Sequence, residues 1–515
     1  GTDLELSVDG YPERGAGVGL DFDYAIDQAY GNVELYGLWD DGTDRTSSGL
    51  DVEQENEIRG VALFEQQWDL TRFWSLDLQG SYISDETFIS AWRETDFQER
   101  RQYETSAYLK FQEQRFALTL LTKYAANDFI SNDWLLASQH YQVDKLPELT
   151  LRAYGLSWFD DAVTYSTETR ASRVRLVLSP ITPEEYGVLG RAFGIPDDQR
   201  LDRAFLDANF PTKFYSRFDT RHEFALPTQW GPVDITPFVV GRMTLYDDDF
   251  SEFSGEDDKH RLFGAVGLTL NTQFHHVDNT VENSLLNLHR LRHIIEPSMT
   301  VWYGYATLDQ GDLPVYDPEV ESLATGAAVR FGLSNTWQTQ RGGPGYWRSV
   351  DVLRIDADVV LTSSDTDRES PTPSWFDYRP EYSQMGDHLE LAGAWQLSDT
   401  LAITGQTTYD IEETELARGS IGAELQHSPI FTTYVEYRTI EASDNELLDI
   451  GWIYRLTPKY RLILQPQWDL REEEFRAVTV QVVRSFPDFD FELRVRQDEI
   501  RDETSFGASI GLVNF

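Results

Sequence analysis

Apolar and polar residues alternate from the first ten residues of this chain to the last ten, and no other feature constrains the fold as tightly. In WSLDLQGSY, Trp74, Leu76, Leu78 and Tyr82 share one parity while Ser75, Asp77, Gln79 and Ser81 share the other. Val18, Leu20, Phe22 and Tyr24 oppose Gly19, Asp21 and Asp23 in the same way, and Leu401, Ile403 and Tyr409 continue the rule. A period of two is a strand. About 24 strands can be counted, with room for two more in Ala162–Val177 and Leu285–Tyr305. A sheet that long must close or fold on itself. The polar parity decides around what, because it carries many Asp, Glu, Arg and Gln side chains, too charged for a dry interior. Water lies on that side and lipid on the other.

Hydropathy taken alone points elsewhere. The 515 residues have a mean hydropathy of -0.45 and no apolar run of helical-span length. Barrel strands escape that test, since about ten residues suffice and half are polar. Tyr, Phe and Trp make up 13% of the chain, which suits interfacial girdles. No linker or low-complexity tract divides the sequence. The expectation is an all-β chain: one large antiparallel transmembrane β-barrel of about 24–26 strands spanning residues 1–515.

Connection lengths give the orientation. Tight turns fall at Asp69–Arg72, Leu397–Thr400, His427–Pro429, Leu456–Lys459 and Phe486–Asp488, and long acidic links fall between others, at Asp40–Gln54, Ser84–Arg101, Asp128–Asp144 and Asp365–Asp387. Short periplasmic turns and long extracellular loops produce this alternation, and an even strand count then puts both termini in the periplasm. Residues 182–210 interrupt the rhythm as an extracellular loop insertion. Thr182, Pro183 and Glu185 form a capping-box sequence there, so a helix is expected to follow.

Lys and Arg number 43 against 88 Asp and Glu, a net charge of -45, which excludes nucleic acid as a partner. Acidic runs such as WDDGTD (Trp39–Asp44), YDDDF (Tyr246–Phe250) and REEE (Arg471–Glu474) read as solvated loop tips. Asp247, Asp248 and Asp249, with Glu256, Asp257 and Asp258 of the nearby run GEDD (Gly255–Asp258), raise the idea of bound divalent cations, although no calcium-loop spacing is present. With no cysteine there are no disulfides or thiolate metal sites. GTDLELSVDG has no signal-peptide pattern and reads as a processed or trimmed start.

Catalytic readings are weak. His289 and His293, with Glu296 nearby, have zinc-like spacing on a helix, but on a strand they stand about 13 Å apart, too far to share a metal. His275 and His276 fall at a strand end. No nucleophile elbow or P-loop occurs. The expectation is a protein that is not an enzyme, with no catalytic residue, metal or cofactor.

Several local patterns resemble the LptD family of lipopolysaccharide-assembly outer-membrane proteins. They are YPERG (Tyr11–Gly15), Trp68–Ile89, Leu146–Gly155, Arg221–Tyr246, GLSNTWQTQR (Gly332–Arg341) and above all LRHIIEP, whose Arg292, His293, Glu296 and Pro297 match the family signature. The order and spacing of these motifs cover nearly the whole chain. The resemblance implies a translocon in a Gram-negative outer membrane that inserts lipopolysaccharide into the outer leaflet. The sugar would pass through the lumen, and the acyl chains would leave by a lateral gate between the first and last strands. The gate residues are then Leu4, Leu6 and Val8, in a first strand expected to be short (Leu4–Val8), and Ser505, Gly507, Ser509, Ile510, Gly511 and Leu512. Small residues weaken that last strand. Implied partners are lipopolysaccharide, outer-membrane lipids, a plug lipoprotein of the LptE type in the lumen and periplasmic jellyroll bridge proteins.

The chain departs from the family in two ways. RSFPDFD (Arg484–Asp490) lacks the cysteine that many members carry, and Pro12 is the only proline near the first strands. The periplasmic jellyroll domain is also expected to lie outside this chain, removed or upstream, because Gly1 leads directly into strands. The alternative is a large porin or passive uptake channel.

Overall fold

The computed structural model describes the chain except for residues 12–13, 47–49, 55, 94–101, 128–140, 191–192, 364–369, 442–444, 487–488, 500–502 and 513–515. Pro12, Asp488, most of the link 128–144 and parts of the links 40–54, 84–101 and 365–387 therefore lie outside the described residues. Among those described, 26 strand segments belong to one antiparallel sheet, and a small hairpin, Thr43–Arg45 with Asp51–Glu53, stands apart. Two segments continue an interrupted strand. Thr228–Trp230 follows Tyr215–Ala225 across Leu226 and Pro227, where proline has no N–H for the ladder, and Phe274–Asn283 follows His260–Thr272 across Gln273. The helices are short, Phe88–Trp92, Leu201–Asp207 and Pro318–Glu321, and none is long and apolar enough to cross a membrane.

Contacts divide the chain into two compact units. One comprises Gly1–Ala225, Val239–Gly264 and Ala306–Leu323; the other comprises Leu226–Phe238, Ala265–Tyr305 and Ala324–Phe515. In the first, Tyr141, Val174, Leu176, Tyr215, Tyr246, Phe250, Leu308, Leu313 and Tyr316 form a buried cluster beside the strand ends. A second cluster gathers Leu38, Val61, Leu63, Ile83, Phe88, Ile89 and Tyr103.

The structure corrects four expectations. The first strand is Thr2–Tyr11, not Leu4–Val8, with ten register pairs from Thr2↔Tyr24 to Tyr11↔Gly15. Asp9 and Gly10 do not end it, because Gly10 pairs with Ala16 and Asp9 accepts the Tyr36 hydroxyl at 3.0 Å. Val163–Leu178 and Leu288–Ala306 are single strands of 16 and 19 residues, so neither segment holds an extra one. The capping box does form, the Glu185 N–H donating to Thr182 Oγ1 at 3.1 Å and the Thr182 N–H to Glu185 Oε2 at 2.8 Å. Gly187, at φ +69°, ends that turn at once, and the helix comes later, at Leu201–Asp207. Long connections alternate with short ones only as far as 363–387; beyond, 411–414 and 470–473 are as short as 397–400.

Candidate functional site

Register fixes what each face of the sheet carries. In the first unit one row runs Leu6↔Leu20↔Leu35↔Ala62↔Tyr82, and the neighbouring row on the opposite parity runs Asp3↔Asp23↔Asn32↔Glu65↔Gln79. Three members of the first row are exposed, Leu6 at 69%, Leu35 at 46% and Tyr82 at 60%, and Leu20 and Ala62 are half-buried. The second is knitted by side chains, with Asn32 donating to Asp23 at 3.0 Å and Gln79 to Glu65 at 3.3 Å. In the second unit Leu353↔Trp395↔Ile403↔Ala423↔Val435 repeats the apolar row, and Gln467 donates to Asp449 at 2.7 Å on a polar one. Exposed aromatics gather at strand ends. Trp39, Tyr82 and Tyr124 mark the long-loop ends of the first unit and Trp68 and Trp158 the short-turn ends; Tyr409 and Trp395 do the same in the second.

The polar face of the first unit holds two buried charge clusters. Arg217 donates to Glu321 at 2.7 Å, Asp317 at 2.5 Å, Glu148 at 3.1 Å and Ser172 at 3.0 Å. Lys145 reaches Asp317 at 2.5 Å, the Tyr246 hydroxyl reaches Glu321 at 2.8 Å, and Arg261 donates to the carbonyls of Val320 and Glu321. Arg170 links Glu168 to Glu319. Four strands thus hold the connection 307–325 through its acids, beside the aromatic cluster of Tyr215, Tyr246, Phe250 and Tyr316. Burial opposes ionisation of Asp317, yet Arg217 and Lys145 hold its carboxyl down to about 2.

Arg59 is the centre of the other cluster, bonded to Asp40 at 2.6 Å, Asp44 at 2.6 Å and Asp85 at 2.7 Å. Arg14 shares Asp40 and Asp44, each at 2.6 Å. Asp40 and Asp44 are therefore buried ion-pair partners rather than a solvated tip, because Arg59 and Arg14 converge on them. The run Asp247–Asp249 stays exposed, but its acids turn to amines and hydroxyls: Asp248 meets Lys213 at 2.6 Å and Lys259 at 3.2 Å, and Asp249 takes Ser251 at 2.6 Å. Lys213 and Lys259 hold the Asp248 carboxyl well below its ordinary value. No group of three His, Cys, Asp or Glu able to hold a metal occurs among the described residues.

The four signature residues share the strand Leu288–Ala306. His293 and Pro297 have the parity of exposed Val301 and Tyr303, while Arg292 and Glu296 have the other. His293 stacks on Trp337 with 4.3 Å between centroids and bonds Asn335 at 3.1 Å; Glu296 accepts from Gln273 at 2.9 Å. His289 stacks instead on Trp347, at 4.4 Å, so the two imidazoles keep separate partners. Leu4, Leu6 and Val8 lie on the exposed apolar face, opposite Phe22, Leu20 and Val18. The last strand, Glu503–Leu512, pairs Ser505 with Arg496, Gly507 with Arg494, Ser509 with Glu492, Ile510 with Phe491, Gly511 with Asp490 and Leu512 with Phe489. The side chains of Ser505, Ser509, Ile510 and Leu512 lie outside the described atoms.

An antiparallel sheet with one exposed aliphatic face, one ion-paired face and aromatic strand ends defines an outer-membrane β-sheet protein. Residues 57–468 match the model of the LptD family, LPS transport system D, and the chain belongs to that family. It is a family of lipopolysaccharide transport and assembly at the outer membrane, not one of enzymes. Among solved structures the chain is similar to the ferric-catecholate import receptor Fiu from E. coli K12 (10% identity, 96% of this chain and 78% of that one, TM-score 0.30). It is also similar to the copper transporter OprC (10%, 98% and 74%, 0.32) and to the alcaligin receptor FauA from Bordetella pertussis (8%, 99% and 74%, 0.27). No curated protein matches it.

Proposed function

We propose that this chain is a closed barrel over residues 1–515 that inserts lipopolysaccharide into the outer leaflet. The sugar moves along the charged face, and the acyl chains leave through a seam between the first and last strands. The observation that carries the reading is the two-faced sheet, because an amphiphile with a large polar head and apolar tails needs a wet wall and a lipid-facing exit in one molecule. Short turns and both termini lie in the periplasm, and 182–210 is an extracellular loop. Leu4, Leu6 and Val8 with Ser505, Gly507, Ser509, Ile510, Gly511 and Leu512 form the gate, and Arg292, His293, Glu296 and Pro297 are the signature strand. A plug lipoprotein of the LptE type and jellyroll bridge proteins are its partners.

Depleting the protein should strand lipopolysaccharide in the inner membrane and periplasm. Normal surface lipopolysaccharide after depletion would leave a passive pore as the better reading. A Leu6→Cys/Ile510→Cys disulfide should block export reversibly; full export with the link formed would remove the gate.

A further inference from the structure

Acids outnumber bases 88 to 43 in this chain, so a cluster of bases without ion-pair partners stands out by its position. Three such bases occur side by side at the short-turn end of the first unit. Lys110 sits on the polar face of the strand Thr105–Glu113, in register with Ser75 and Thr119. Arg115 is in the turn that follows, and Arg72 is in the turn between Ile58–Asp69 and Trp74–Ile83. None of the three makes an ion pair among the described residues; Arg72 only lies over Phe73, 4.9 Å from its ring. Arg152, next along the face, reaches Glu168 at no closer than 3.4 Å, and that carboxylate is already bound by Arg170. Glu113 shares the strand of Lys110 and Asp77 stands on the neighbouring one; Lys110 attracts Asp77 through space without an ion-pair contact to either acid.

These bases open onto a recess of about 250 Å³ lined by Tyr108, Lys110, Gln112, Arg115, Arg152 and Tyr154. An adjoining one of about 470 Å³ shares Lys110 and Gln112 and adds Arg72, but Asp69 and Glu113 also line it, so the smaller recess is the basic one. Ammonium and guanidinium groups supply charge-assisted bonds to an anion. Gln112 offers an amide to hydroxyls, and Tyr108 and Tyr154 offer ring faces, the Tyr154 hydroxyl being bonded to Glu168 at 3.2 Å. Inorganic phosphate has no use for rings or a side-chain amide; a phosphorylated or carboxylated sugar uses all of them.

We infer that this recess is a docking station on the inner wall for an anionic saccharide, the charged head of the transported glycolipid, where it first meets the barrel. The inference rests on the proposed function, which makes the short-turn end periplasmic and the polar face luminal. The surrounding wall, with Asp3, Glu5, Asp21, Asp23, Glu34 and Glu65, repels such a head. A basic recess on an acidic wall would hold it at one place rather than along the whole path.

The test is calorimetric titration of the detergent-solubilised full chain with the phosphorylated core oligosaccharide released from lipopolysaccharide by mild acid. The same sugar after dephosphorylation, inorganic phosphate and the purified plug lipoprotein are titrated in parallel. Lys110→Gln/Arg115→Gln should weaken the phosphorylated sugar about tenfold or more without moving the melting temperature, because neither side chain holds another. Binding should also fall with salt and with dephosphorylation. Equal affinity of wild type and variant, no sugar binding, or inorganic phosphate binding as tightly as the sugar would overturn the inference. So would a variant that loses only the lipoprotein, which would make the recess a protein contact. Depletion reports separately: a chain dispensable for surface lipopolysaccharide that still binds the sugar through Lys110 would keep the site and discard the transport reading.

Discussion

The strands Tyr141–Trp158, Val163–Leu178 and Tyr215–Ala225 and the strands between His388 and Leu512 answer the same demand, an apolar face and a wet face, by different means. The former bury guanidinium groups on the wet face and cover them with a folded-back connection whose acids are their partners. The latter are joined by turns of a few residues and close-pack their polar face with small residues, as where the Tyr434 ring lies over Gly451. Long loops and buried charge thus occur together, each the condition of the other. A buried ion pair is a weak source of net stability, since desolvation offsets the attraction, but it is costly to break. The Arg217 cluster therefore determines where the connection 307–325 sits more than how stable the sheet is.

Removing the centre of that cluster should give the largest effect. Arg217→Met leaves Glu148, Asp317 and Glu321 mutually repelling with only Lys145, Tyr246 and backbone groups to satisfy them, and should cost about 3–5 kcal/mol. Unfolding in detergent micelles and protease cleavage within 307–325 measure it; an unchanged melting temperature with an intact connection would break the contrast between the two regions. Arg59→Met should cost less, about 2 kcal/mol, because Arg14 still holds Asp40 and Asp44.

Acid should loosen the first region and spare the second. The folded-state pKa of Asp317, about 2, lies below its ordinary value, so its contribution is complete above about pH 4 and is lost as pH falls through 2. The contribution is about 2 kcal/mol, and Asp317→Asn should flatten that part of the pH–stability curve. The same acid slope in the variant would refute the assignment.

Much of this architecture is readable from the alternation, because strand parity is local: Leu6, Leu20 and Tyr82 announce their face within five residues of context. Family membership is legible in the same way, from Arg292–Pro297 and the motifs around it. The charge clusters are not. Arg217 meets Asp317 and Glu321 across about a hundred residues, and nothing local separates Asp44, which is buried, from Asp248, which is not. One signal was available: arginines on the polar parity of strands, such as Arg59, Arg170 and Arg217, require acids, and acids abound in the loops. The first strand reads as short in the sequence for a related reason, since Asp9 looks like a terminator until the Tyr36 hydroxyl is placed beside it.

In the second region a methyl group should cost more than a charge. A Cβ on Gly451 would stand 2.0 Å from Tyr434 Cε1, so Gly451→Ala must move the ring and break its bond from Gln465, 2.8 Å long. About 1–2 kcal/mol is expected. Gly393→Ala, whose added Cβ would come no nearer than 3.5 Å to the Arg354 carbonyl, is the control and should be close to neutral. Equal losses at both positions would show that glycine's backbone, not the ring contact, matters there.

The smallest effect should come from the strongest-looking acid on the surface. Asp248 is held well below its ordinary pKa first by Lys213 and then by Lys259, yet all three side chains are exposed. A depressed value would ordinarily mean stability present above its usual titration range and lost in acid. Here solvent and salt screen the pair, and two long side chains lose rotamer freedom to make it. Asp248→Asn should leave the melting temperature unchanged at physiological salt, while Asp317→Asn, with a smaller departure from the ordinary value, should lower it. If Asp248→Asn proves the more destabilising of the two, burial is not what separates the ion pairs that hold this fold from those that decorate it.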